Sequence, residues 1–169
     1  LVEGLIEASI YDRRVLVERG INGREIEVSV LGNDQPLASI PGEILPAGDF
    51  YTYEAKYIDE HSQLLIPAPL SPDQLEQAQT LAVKAYRAID GAGMARVDFL
   101  LDKDTGTLYI SEVNTIPGFT KISMYPKLWE AGGLSYPQLV DRLIELALER
   151  KQERNRSVRH YRRHDTYGA

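Results

Sequence analysis

The stretch ARVDFLLDKDTGTLYISEVN, residues 95–114, decides the fold. Its first half alternates, with Ala95, Val97, Phe99 and Leu101 on one side and Arg96 and Asp98 on the other. KDTG, residues 103–106, then supplies turn chemistry, so the segment reads as a hairpin of strands 95–102 and 107–115. The second strand carries Glu112 and Asn114 on one face, residue types that strands disfavour. With the turn centred near Thr105, Asp98 falls opposite Glu112 and Arg96 opposite Asn114, and four polar groups converge on one patch. Two neighbouring carboxylates repel each other unless a cation joins them. A hard divalent ion such as Mg²⁺, which takes oxygen ligands, would do so, with Arg96 beside it for a phosphate or a developing oxyanion. The plain alternative is a solvated face with an Arg–carboxylate salt bridge.

Pro117-Gly118 ends the strand pattern within NTIPGFTKISMYP, residues 114–126. A glycine lets backbone N–H groups approach an anion closely, and Ser123 with nearby amides could hold another. An ordinary turn is the competing reading.

The pattern extends outward in both directions. Residues 71–90 predict a helix opened by Ser71, Pro72 and Gln74, an N-cap, first-turn proline and capping-box partner. Leu75, Ala78, Ala82, Ala85 and Ile89 form its apolar stripe, and Gly91 and Gly93 end it. SYPQ, residues 135–138, starts a second capped helix expected to run to about residue 150. Residues 25–31 alternate, with Ile26, Val28 and Val30 on one face and Glu25, Glu27 and Ser29 on the other, and residues 37–45 supply a partner strand. A short strand is expected at residues 15–18, followed by a turn or hinge in RGINGR, residues 19–24. The first 14 residues lack an initiator Met and read as a helix already under way, with Leu5, Ile6 and Ile10 on one side. The expectation is a chain that starts inside a domain, the C-terminal part of something longer. Residues 48–70, long and rich in aromatics and proline, suggest a lid or binding loop. Hairpins mixed with helices indicate an α+β fold.

Composition narrows the function classes. With 43% hydrophobic and 26% charged residues the chain is globular, not disordered. Its 169 residues hold no cysteine, which excludes disulfides, thiolate metal sites and a Cys nucleophile and fits a cytoplasmic setting. No apolar run approaches the roughly 20 residues of a membrane helix. The net charge of −6 conceals a basic end, residues 150–169, with most of the chain strongly acidic. An acidic body argues against nucleic-acid binding. The end itself, with almost no apolar content, reads as a solvated, flexible tail, and His160 and His164 within it as no metal site.

Four segments together, VLVERGINGREIEVSVLG (15–32), FYTYEAKYID (50–59), ARVDFLLD (95–102) and EVNTIPGFTKISMYPKLWEAGGLSYPQL (112–139), closely resemble the D-alanine–D-alanine ligases of the ATP-grasp superfamily. The likeness runs from Val15 to about Leu148 and stops short of the basic tail. It implies an ATP-grasp fold of antiparallel sheets with flanking helices. Residues 1–47 would be part of the central ATP-binding subdomain, 48–70 the lid loop, and 71–150 the C-terminal subdomain with the Mg²⁺ and D-alanine sites, followed by the tail at 151–169. The family's N-terminal domain would be absent from these residues.

The resemblance also implies roles. Asp98, Glu112 and Asn114 would bind two Mg²⁺ ions, for which Mn²⁺ can substitute, with Glu112 bridging. Arg96 and the Gly118 amide would stabilise the tetrahedral intermediate and transferred phosphoryl group. Ser123 and Met124 would hold the carboxylate of the second D-alanine. Glu18 would contact the adenine amino group, Arg19 and Ile21 would give hinge backbone contacts, and Glu25 would hold the ribose hydroxyls. Lys56 would reach the nucleotide phosphates, and Tyr57 would close the lid and favour a dipeptide product. Arg19 departs from the Lys of many relatives, at a position that serves largely through its backbone. The implied activity is ATP-dependent joining of two D-alanines through a D-alanyl phosphate, in peptidoglycan precursor synthesis, by a cytoplasmic enzyme that is a homodimer at full length; these residues alone would not turn over. Alternatives are a D-alanyl-D-lactate or other ATP-grasp ligase, a non-catalytic nucleotide-binding module, and an adaptor acting through the basic tail.

Overall fold

Strand β1, Gly23–Gly32, pairs antiparallel with β5, Gly93–Asp102, over its full length, Gly23 opposite Asp102 and Gly32 opposite Gly93. The computed structural model describes residues 1–45 and 63–156. On the other edge of β1 lie β2, Leu37–Ala38, and β3, Gly42–Leu45, and β3 pairs in turn with β4, Gln63–Leu65. Beyond β5 comes β6, Leu108–Asn114, giving a wholly antiparallel order β4-β3-β1-β5-β6, with β2 also on β1. The predicted partner strand at 37–45 is thus split in two. Pro41 falls in the gap, and proline has no N–H to give a ladder. Its carbonyl accepts from Ala68 instead.

The helices are α1, Val2–Tyr11; α2, Pro72–Ala88; α3, Met124–Ala131; and α4, Tyr136–Arg156. Helix α2 starts as predicted: Ser71 Oγ accepts from Gln74 N–H while the Gln74 side chain accepts from Ser71 N–H. It buries Ala78, Ala82 and Tyr86 against Ile26, Val28, Val30, Ala95, Val97 and Phe99. Ile89, placed in that stripe from the sequence, is 48% exposed. The helix has ended, and the chain turns away through Asp90 at φ 54°. Tyr86 fills the core in its stead, and its hydroxyl donates to Gly32 O at 2.8 Å.

Burial along β1 does not follow its alternation. Ser29 and Leu31, on the face opposite Ile26 and Val28, are covered as well. Leu31 packs with Tyr125 and Trp129 of α3 and Leu139 and Leu146 of α4. Ser29 Oγ donates to Tyr125 O at 3.2 Å, and the Tyr125 hydroxyl donates to Val30 O at 3.1 Å. Helix α3 falls where the sequence reading placed no element; five of its eight residues are buried, so packing decides what local pattern did not. The strand expected at 15–18 does not form. Leu16 and Val17 are exposed, and a β-branched run without a ladder to join stays irregular. Helix α1 buries no residue, so its apolar side, Ile6 and Ile10 included, stays exposed. Helix α4 continues past the predicted end near residue 150 to Arg156. No helix among the described residues is long and apolar enough to cross a membrane.

Candidate functional site

The β5–β6 hairpin places Arg96 opposite Asn114 and Asp98 opposite Glu112, as the centring on Thr105 predicts. Closer to the turn the register shifts: Phe99 lies opposite Ile110, so Ser111 is the extra residue of a β-bulge. The bulge sits directly beside the polar patch.

Arg96 Nε–H donates to Asp98 Oδ1 and Nη2–H to Asp98 Oδ2, both at 2.7 Å, a bidentate fork between residues two apart on one strand. Asn114 Nδ2 donates to Asp98 Oδ2 at 3.0 Å and to Glu112 Oε1 at 3.2 Å. Four of the residues singled out from the sequence therefore touch one another. A fifth, Glu27, was not singled out. It lies on β1 opposite Asp98, is only 6% exposed, and brings Oε2 to 3.1 Å from Arg96 Nε. The alternation of β1 already set Glu27 on the polar face; what local pattern lacked was that this face is closed over.

Charge here is set by burial and proximity together. Burial opposes the cation of Arg96, but the hydrogen bonds to Asp98 and the charges of Glu27, Asp98 and Glu112 outweigh it and hold the guanidinium above the ordinary arginine range. Burial lifts the Asp98 carboxyl above its usual range; Arg96 pulls it back, Glu112 pushes it up again, and the net shift is upward. Ionising Asp98 therefore carries a cost, the condition in which added positive charge is most favourable.

The side chains fit a hard cation. Among the described residues no three His, Cys, Asp or Glu groups gather as a metal cage. Two carboxylates and an amide are nevertheless the sparse oxygen set that Mg²⁺ uses when water and phosphates complete its shell. One nitrogen already touches both carboxylates, so a single small cation is within reach of the pair.

A second cluster lies beyond β6. Ser123 Oγ accepts from Thr120 N–H at 3.0 Å and lies 2.8 Å from Thr120 Oγ1. A Cβ on Gly118 would stand 3.1 Å from Ser123 Oγ, so Gly118 leaves that hydroxyl its room. The Met124 side chain is buried with Ile44 and Leu128, which leaves only its backbone N–H, at the start of α3, to meet an anion.

Glu18, Arg19 and Ile21 lie in the irregular segment before β1, apart from both clusters in the chain. Arg19 does more with its side chain than the sequence implied. Its Nη2–H donates to Tyr109 Oη at 3.0 Å, and the guanidinium stands 5.4 Å from that ring's centroid, tying the segment to β6. Glu25 is half-buried on the same face of β1 as Glu27, opposite Leu100 and Ile44. Lys56 and Tyr57 lie outside the described residues, as do His160 and His164.

Residues 1–145 match the family described as D-ala D-ala ligase C-terminus. The chain is 63% identical over 150 residues to a D-alanine–D-alanine ligase of Thermoanaerobacter sp., covering 88% of this chain and 42% of that protein. It is 57% identical to the ligase of Heliobacterium modesticaldum, covering 94% of this chain and 43% of that one. Among solved structures it resembles the D-alanine–D-alanine ligase of Coxiella burnetii, with TM-score 0.78 and 44% identity over 91% of this chain and 40% of that one. It also resembles the VanG D-Ala:D-Ser ligase of Enterococcus faecalis, with TM-score 0.67 and 37% identity over 76% of this chain and 37% of that one. The chain spans about two fifths of the length of these curated relatives. The antiparallel sheet flanked by helices is the ATP-grasp fold. By this extent of match, the chain belongs to the C-terminal family of the D-alanine–D-alanine ligases.

Proposed function

We propose that the chain forms the nucleotide- and metal-handling part of an enzyme that joins two D-alanines at the expense of ATP. The observation that carries this reading is the patch in which Arg96, Asp98, Glu112 and Asn114 meet, within a chain of this family.

Asp98, Glu112 and Asn114 would hold the divalent ions, with Glu112 shared between two. When bound, those ions offset the repulsion between nucleotide phosphates and a substrate carboxylate. Arg96 and the Gly118 N–H would stabilise negative charge on the oxygens of the transferring phosphoryl group and of the tetrahedral intermediate. Ser123 Oγ and the Met124 N–H would orient the second amino acid through its carboxylate. Glu18, Arg19 and Ile21 would bind the adenine, Glu25 the ribose, and Lys56 and Tyr57 the phosphates and the closed loop. The γ-phosphoryl group passes to a carboxylate oxygen of the first D-alanine. The amine of the second attacks the carbonyl carbon of that acyl phosphate, and phosphate leaves with the C–O electron pair as the peptide bond forms. Residues 1–47, 48–70 and 71–150 would serve as central subdomain, lid and C-terminal subdomain, in a cytoplasmic enzyme of cell-wall precursor synthesis that is homodimeric at full length.

The test is phosphate release from Mg·ATP with and without D-alanine, by a polypeptide of the relatives' full length containing this sequence. Release that requires D-alanine is expected, and ATP binding without such release would favour the nucleotide-binding module. The VanG relative makes the acceptor a fair question, so D-serine and D-lactate belong in the same assay, with D-alanine expected to be the best acceptor.

A further inference from the structure

We propose that Glu27 is a positioning residue for Arg96, keeping the guanidinium in place when a divalent cation takes over Asp98. The inference rests on Asp98, Glu112 and Asn114 being the cation's ligands.

Both oxygens of Asp98 are engaged by Arg96, and Oδ2 also accepts from Asn114. Oδ2 accepts from two N–H groups and keeps no lone pair for a metal, so a cation that binds Asp98 at that oxygen, the one that shares Asn114 with Glu112, competes with the fork. The guanidinium, with its side chain 18% exposed, would then be left partly buried without a carboxylate, a costly state. Glu27 removes that cost. Strand β5 lies between β1 and β6, so Glu27 approaches Arg96 from the side away from Glu112 and Asn114. Its Oε2 is already 3.1 Å from Nε, the nitrogen that also serves Asp98. Arg96 can therefore pass from sharing two carboxylates to holding one without moving along the strand. The cation gains Asp98, and Arg96 stays aimed at the patch.

The competing account is that Glu27 favours a cation merely by adding negative charge nearby. A double-mutant cycle separates the two. Mn²⁺ binding in the presence of ADP, read from the electron paramagnetic resonance signal of the free ion, requires no turnover. Glu27→Gln should bind Mn²⁺ roughly tenfold more weakly than the parent chain, the scale of one charge-assisted hydrogen bond. In an Arg96→Gln background the same change should have no effect, because there is no guanidinium to hold. An equal loss in both backgrounds, or parental affinity in Glu27→Gln, would overturn the positioning role while leaving the ligand reading intact. The parent in this assay is a polypeptide of the relatives' full length containing this sequence, and a parent that binds no Mn²⁺ would overturn both. Should Glu27→Gln fail to fold, Glu27→Asp keeps the charge but withdraws it by one methylene. It should show the same weakening and the same dependence on Arg96.

Discussion

Asp98 and Glu112 face each other across the β5–β6 hairpin, and one amide nitrogen, that of Asn114, touches both. Two acids so placed need more positive charge than Arg96 alone provides. Replacing either by its amide should therefore abolish turnover without unfolding the protein. In a polypeptide of full family length, Asp98→Asn and Glu112→Gln should each lower D-alanine-dependent phosphate release more than about 100-fold, with the folded structure retained by circular dichroism. Near-parental turnover in either variant would remove that residue from the metal site.

Asp98 also makes a prediction about pH. Its folded pKa is raised, so the stability it contributes is full below the unfolded aspartate value and is lost as pH rises through the folded one. In EDTA the parent should lose thermal stability over that range relative to Asp98→Asn, and Mg²⁺ with nucleotide should flatten the difference. Parallel curves for parent and variant in EDTA would contradict the assignment.

Gly118 and Ser123 are close enough that an added methyl group must displace the hydroxyl. Gly118→Ala is expected to raise the KM for the acceptor amino acid about tenfold, with a smaller change in the KM for ATP. Steady-state kinetics with each substrate varied in turn would show the split, and equal changes in both would argue for a general distortion.

The cap of α2 offers a test of stability that leaves the site alone. Ser71→Ala removes the acceptor for Gln74 N–H and should cost about 1 kcal/mol. The matching shift in the urea midpoint should come with an unchanged m-value.

Two tyrosines should behave differently on loss of the hydroxyl. Tyr86→Phe leaves the Gly32 carbonyl without its donor in the core and should cost about 1–2 kcal/mol. Tyr109→Phe, at an exposed contact with Arg19, should cost under about 0.5 kcal/mol. Chemical denaturation of both variants against the parent would test the contrast.

Whatever depends on short-range pattern was legible in the sequence. The hairpin register at Asp98 and Glu112, the Ser71–Gln74 cap and the strand over residues 25–31 all follow from alternation, capping chemistry and turn residues. What was not legible depends on partners distant in the chain. Helix α3 exists because Tyr125, Leu128 and Trp129 find a covered face of the sheet, and residues 15–18 fail as a strand because no ladder meets them. Glu27 escaped notice for the same reason. Its neighbours Glu25 and Ser29 mark a polar face, and only the helices that close that face make a carboxylate there consequential. Adenine, ribose and D-alanine roles came from family likeness, since an exposed Glu18 or a half-buried Glu25 announces no ligand by itself.

The phenols of Tyr86 and Tyr125 grip β1 from opposite faces, one on Gly32 O and the other on Val30 O. Burial pushes Tyr86 up to about 12 and Tyr125 higher still. The fold thereby carries its own optical indicator. In an alkaline titration the accessible phenols should ionise first, and a delayed rise in phenolate absorbance should coincide with release of the central strand. Ultraviolet absorbance alone would then report when the sheet comes apart.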